Sequence, residues 1–140
     1  MNNLIIKRSQ IVEAQITGTP SIGKRYTFTE VPNLSRLNII LFGLEAFTAA
    51  QLTNTPMGNA VVAQAAQTDI VVSLRNEKKV EFMYQQPIYS LIRPNNGGFM
   101  IMLKPTLVNL TDCYIQLVDT ANVNTNEVAA FNFYYQLVGE

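Results

Sequence analysis

Short apolar or alternating runs, separated by turn residues, recur along the whole chain. Residues 4–6 and 11–16 carry Leu4, Ile5, Ile6, Ile11, Val12 and Ile16 and read as an extended N-terminal arm or a first strand. Thr17-Gly18-Thr19-Pro20-Ser21 is a loop. Residues 25–31 alternate as a half-buried strand does, with Tyr26, Phe28 and Glu30 on one face and Thr27, Thr29 and Val31 on the other. Pro32-Asn33 breaks that run, residues 36–42 are strongly apolar, and Gly43 ends or bulges them. Residues 45–51 suit a helical turn through Ala46, Ala49 and Ala50. Residues 54–59 are a loop, and 60–66 fit strand or helix.

Residues 70–74 and 79–84 read as strands joined by the charged turn Arg75-Asn76-Glu77-Lys78. Residues 88–92 and 99–103 flank Asn95-Asn96-Gly97-Gly98, whose residues tolerate positive φ, and so predict a hairpin. Residues 114–118 and 129–138 complete the set. The polar positions are mainly Asn, Gln and Thr: Thr suits strands and Asn suits the turns between them. About eight short strands at this spacing predict an all-β fold, an antiparallel β-sandwich. Eight strands in two sheets are also the make-up of a single jelly roll. No repeat or composition shift divides the chain, so the expectation is an arm over 1–20 and one jelly-roll domain over 21–140.

Composition changes the picture at one point. Only 14% of the 140 residues are charged, against about 25% in an ordinary soluble domain. A folded chain so poor in charge is expected to bury much of its surface against other protein. Ten Lys and Arg balance ten Asp and Glu, and the basic pairs Lys7-Arg8, Lys24-Arg25 and Lys78-Lys79 are scattered. A nucleic-acid-binding domain shows a clustered basic excess instead, so no specific nucleic acid is expected as a partner. The longest apolar stretch, residues 39–44, is far short of the roughly 20 that span a bilayer, and no membrane insertion is expected. The N-terminus MNNLIIKRSQ lacks the apolar run of a signal peptide, so the sequons at Asn33 and Asn109 read as chance.

The chemistry on offer is thin. There is no His to act as a base near neutral pH. The single Cys113 sits in an apolar context and reads as a core residue. No cluster with metal-ligand spacing is present, and neither metal nor cofactor is expected. Leu117-Val118-Asp119-Thr120-Ala121 approaches the active-site pattern of retroviral-type aspartic proteases but has Ala where Gly is required. Ser21-Ile22-Gly23-Lys24 matches S-x-x-K without its companion motifs. Glu77 with Glu81, or Asp112 with Asp119, would be carboxylate pairs only if they converged on one pocket. Tyr84, Tyr89 and Tyr134 would form a sugar platform only if they shared one face. The chain is expected not to be an enzyme.

Small size, short strands, the apolar arm, Asn/Thr/Gln-rich loops and few charges together resemble single jelly-roll capsid proteins. Within that class the chain is similar to the penton, or vertex, proteins of tailless icosahedral viruses whose major capsid proteins are double jelly rolls. The resemblance implies a structural virion protein made in the host cytoplasm, with itself, as a pentamer, and a neighbouring major capsid protein as partners. It implies no catalytic residues. The arm residues Leu4, Ile5, Ile6, Ile11, Val12 and Ile16 would lie under a neighbour or pair with a sheet edge. A tail, fibre or appendage subunit and a carbohydrate- or receptor-binding sandwich are the other readings the residues leave open.

Overall fold

The computed structural model describes residues 6–31, 38–92 and 101–139, with backbone alone for 101–103. Eight strands form: β1 (Arg8–Gln15), β2 (Arg25–Thr27), β3 (Asn38–Ala46), β4 (Ile70–Arg75), β5 (Glu81–Pro87), β6 (Ile101–Asn109), β7 (Tyr114–Leu117) and β8 (Val128–Leu137). They build two antiparallel four-stranded sheets, in the orders β1-β8-β3-β6 and β2-β7-β4-β5. Four of the pairings are β1 with β8, β2 with β7, β3 with β6 and β4 with β5. The chain is therefore a ribbon folded back on itself, first strand against last, and rolled so that β3 meets β8 and β4 meets β7.

The alternation that marks a half-buried strand is plain in β8. Ala129, Phe131, Phe133 and Tyr135 point into the core, while Asn132 and Tyr134 between them are half-exposed. Phe131 and Phe133 are fully buried and meet Phe28 edge to face at 5.7 and 5.9 Å. Such ring pairs add about 0.5–1.5 kcal/mol beyond the area they bury. Ile70, Val72 and Leu74 of β4 and Ile115 and Leu117 of β7 close the core from the second sheet.

Gly43 is a bulge, where the register of β3 shifts between Leu41 and Gly43. The extra residue lets Leu41 and Leu44, three apart, both face the core, and it turns Glu45 to the outer face of the first sheet. Regular alternation from Leu41 would have driven that carboxylate inward. On the outer face the Tyr134 hydroxyl donates to Glu45 Oε1 at 2.7 Å, and Asn132 Nδ2 donates to the same oxygen at 3.5 Å.

Part of that outer face is roofed by the connection from β3 to β4. Phe47 and Leu52 pack with Val61, Val128 and Ala130 as a second, smaller core. The turn 55–59 belongs to this roof. Pro56 presets its backbone, Gly58 takes φ +88°, and Thr55 Oγ1 accepts from the Asn59 amide at 3.2 Å.

Three local expectations are corrected. Residues 88–92 are not a strand: Ile88–Leu91 is a 3₁₀ helix. Ile88 and Leu91, three apart, share one face of it and are both buried, which accounts for the apolar signal. Among the described residues no pairing joins 88–92 to 101–103, so the expected hairpin does not form there, and β6 pairs with β3. The Asn95–Gly98 turn itself lies outside the described residues. The helical turn expected over 45–51 starts later, because β3 runs on to Ala46 and the turn closes with the Gln51 and Leu52 amides on the Thr48 carbonyl.

Candidate functional site

The segment set apart as an arm contributes an edge strand. Residues 8–15 pair along their length with β8, from Arg8 opposite Tyr135 to Gln15 opposite Val128. Of the six arm residues, Val12 and Ile16 are fully buried in the core, Ile11 is half-buried and Ile6 is exposed. Leu4 and Ile5 lie outside the described residues. The apolar residues of 11–16 were the visible signal; that their partner would be the strand more than 110 residues away was not.

Edge strands give the sandwich two unlike flanks. One carries β1 and β2, the other β6 and β5. The β1/β2 flank is recessed. A cavity of about 450 Å³ lies at the β1 edge, and a shallower one of about 420 Å³ runs between Gln15 and the stretch from Arg25 to Thr29. The β6/β5 flank carries exposed Lys104 on β6 and Val80 and Tyr84 on or beside β5. Exposed apolar side chains are otherwise spread singly. Ile6 and Val138 stand at one end of the sandwich, and Ile22, Tyr89 and Val118 at the other. Single exposed apolar residues of this sort are ordinary.

The outer face of the second sheet is tied across all four strands by charge and one ring. Tyr114 of β7 lies under Arg25 of β2 at 4.4 Å and Arg75 of β4 at 5.2 Å, centroid to guanidinium. The Tyr114 hydroxyl donates to Glu81 Oε1 at 3.1 Å, and Arg75 pairs with the same oxygen at 2.9 Å. The Glu81 hydrogen bond, above all, raises the Arg75 pKa, so that guanidinium stays charged. Nothing in the spacing of Arg25, Arg75, Glu81 and Tyr114 foretold this group, because the four belong to four different strands.

Each sequence candidate for chemistry has a definite place. Asp119 is exposed, and its Oδ1 accepts from the Thr120 and Ala121 amides, so Asp-Thr-Ala forms a side-chain-capped turn. Lys24 Nζ donates to the Thr17 carbonyl at 3.1 Å and lies over Tyr26, and no contact joins it to the Ser21 hydroxyl. Glu81 is engaged by Arg75 and Tyr114 while Glu77 stands exposed in the turn beyond, and Asp112 and Asp119 flank opposite ends of β7. Tyr84 and Tyr89 are both more than half exposed on β5 and the 3₁₀ helix after it, whereas Tyr134 belongs to the other sheet. The three tyrosines do not share a face. Cys113 is fully buried, and burial pushes its thiol up to about 11. Among the described residues no group of three His, Cys, Asp or Glu is placed to hold a metal, and no helix is long and apolar enough to cross a membrane.

These observations define the class: an all-β protein whose eight antiparallel strands follow the jelly-roll order. No family model, no curated protein and no solved structure matches the chain.

Proposed function

We propose that the chain is a structural shell subunit, a single jelly roll that associates head to tail into a closed ring. The ring meant is the pentameric vertex of an icosahedral virion, a bacteriophage capsid being the setting that fits the resemblance, seated beside a major capsid protein. The observation that carries the reading is the pair of unlike flanks on a charge-poor sandwich. A ring with one kind of contact needs two different, complementary surfaces on each subunit. Stable interfaces are also depleted of charge at their centres, as this chain is overall.

Native mass, measured by sedimentation across a hundredfold range of concentration, tests it. A stable pentamer is the expected result. A trimer or an open helical assembly would favour a fibre or appendage subunit. A second reading draws on the exposed Tyr84 and Tyr89: a persistent monomer that binds glycans, and loses them on Tyr84→Ala, would make the chain a carbohydrate-binding module.

A further inference from the structure

The cavity at the β1 edge holds an acid that no cation among the described residues answers. Ile11, Val31, Pro56 and Met57 line it together with Glu13 and Asn132. Its volume of about 450 Å³ is within the range of pockets that enclose small ligands or long side chains. Glu13 is 2% exposed. Among the described residues the hydrogen-bond donor to its carboxylate is the neutral Asn59 amide, with Nδ2 at 3.4 Å from each oxygen. No Lys or Arg among the described residues pairs with it. A buried carboxylate in such company is costly unless a cation joins it.

Asn132 lines the same space. Its Nδ2 donates to the Tyr134 hydroxyl at 3.1 Å and to Glu45 Oε1 at 3.5 Å, so Oδ1 is the amide atom left to accept. Apolar walls around a buried acid suit an ammonium group on an alkyl stem. A lysine buries its methylenes and keeps its charge on a partner in this way.

The opposite edge of the same sheet offers that group. Lys104 on β6 is exposed, and its ammonium meets no acceptor among the described residues. β1 and β6 are the two outer strands of the first sheet, so head-to-tail association of copies brings one subunit's β6 edge toward the next subunit's β1 edge. Among the described residues Glu13, Glu45 and Asp69 are buried and no Lys or Arg is, so acid is kept inside the subunit and base outside.

We infer that the Glu13 cavity is a socket for the Lys104 side chain of a neighbouring copy of this chain. The inference rests on the ring reading above. Glu13 is the counter-ion, Asn132 Oδ1 the second acceptor, and Ile11 and Met57 flank the alkyl stem.

The test measures self-association of the wild type, Glu13→Gln, Lys104→Gln and the double variant by sedimentation equilibrium. Each single change is expected to weaken association at least tenfold, and the double variant to be no weaker than either single one. Lys104 is exposed, so its variant separates loss of the contact from loss of the fold. Melting of each subunit by circular dichroism supplies the same control for Glu13→Gln. Association that is unchanged, or losses that add in the double variant, would overturn the socket while leaving the ring intact. A wild type that stays monomeric at every concentration would overturn the ring and the Lys104 contact together. In that case n-butylammonium, titrated while amide shifts near Glu13 and Asn132 are followed by NMR, decides the socket chemistry alone. Saturable binding lost in Glu13→Gln would assign the cavity to a free amine, and no binding would end the proposal.

Discussion

Cys113 shows how far a single side chain's surroundings set its behaviour. Its sulfur is fully buried and donates only to the Asn109 carbonyl, at 3.5 Å. Desolvation of the thiolate moves the thiol from an ordinary 9.0 to about 11. Native protein at pH 8 should therefore react with a disulfide reagent such as DTNB only as fast as it opens, and at once in denaturant. Stability follows with a definite sign. Between about pH 9 and 11 the unfolded chain gives up this proton and the native one keeps it, so stability falls as pH rises through that window. The loss is about 2–3 kcal/mol from a two-unit difference. Denaturant titrations of the wild type and Cys113→Ala at pH 8 and pH 11 check it, because the substitution should remove that part of the fall. Burial of Cys113 was legible from its apolar neighbours. The isolation of Glu13 was not, since a lone acid among Val12 and Ala14 looks like the solvated face of a strand until the roof over it is known.

At the scale of elements, β1 supplies Val12 and Ala14 to the core and leads directly into the buried Ile16. Burying a Val or Ile side chain is worth about 1.5–3 kcal/mol each. Total stabilities are about 5–15 kcal/mol. Removing residues 1–15 should thus unfold the domain or leave it barely stable. A circular dichroism melt of that truncation decides, and a stable fold without it would show β1 to be dispensable.

Most strands could be read because their own residues carry the pattern. β4, β7 and β8 were placed within a residue or two, since buried β-branched or aromatic side chains alternate there. The exceptions have physical causes. Residues 88–92 mimic a strand because Ile88 and Leu91 satisfy the core through a three-residue period. The sequence set residues 1–20 apart as an arm because nothing local reveals that β8 pairs with β1. A jelly roll was expected by count and spacing, but its strand order could not be read from the sequence. Pairing between distant strands is set by the core as a whole, and no short stretch encodes it.

For the whole molecule, the accessible surface of 7290 Å² is close to the roughly 7,200 Å² expected of a monomeric protein of its mass. Among the described residues the exposed large apolar side chains are scattered and the core cluster is closed within the subunit. A ring built from it is one of finished subunits. Dilution should then give folded monomers before any loss of secondary structure, with sedimentation and circular dichroism showing two separate transitions. A single coincident transition would mean that folding and association are one event. The formal charge of zero also understates what a partner meets, since the buried charges among the described residues are all acidic.

The folded-back ribbon has a consequence for the making of the protein. β8, residues 128–137, is the strand that lies between β1 and β3, so the first sheet has a gap at its centre until those residues leave the ribosome. β4 and β5, joined by a short turn, can pair early, while β1 must wait for almost the whole chain with its apolar residues unpaired. A nascent or prematurely terminated chain therefore has neither a closed β1 edge nor a formed Glu13 cavity to offer a neighbour. On the ring reading, only chains that have been read through to their last strand could enter an assembly, and the strand order would serve as a check on completeness.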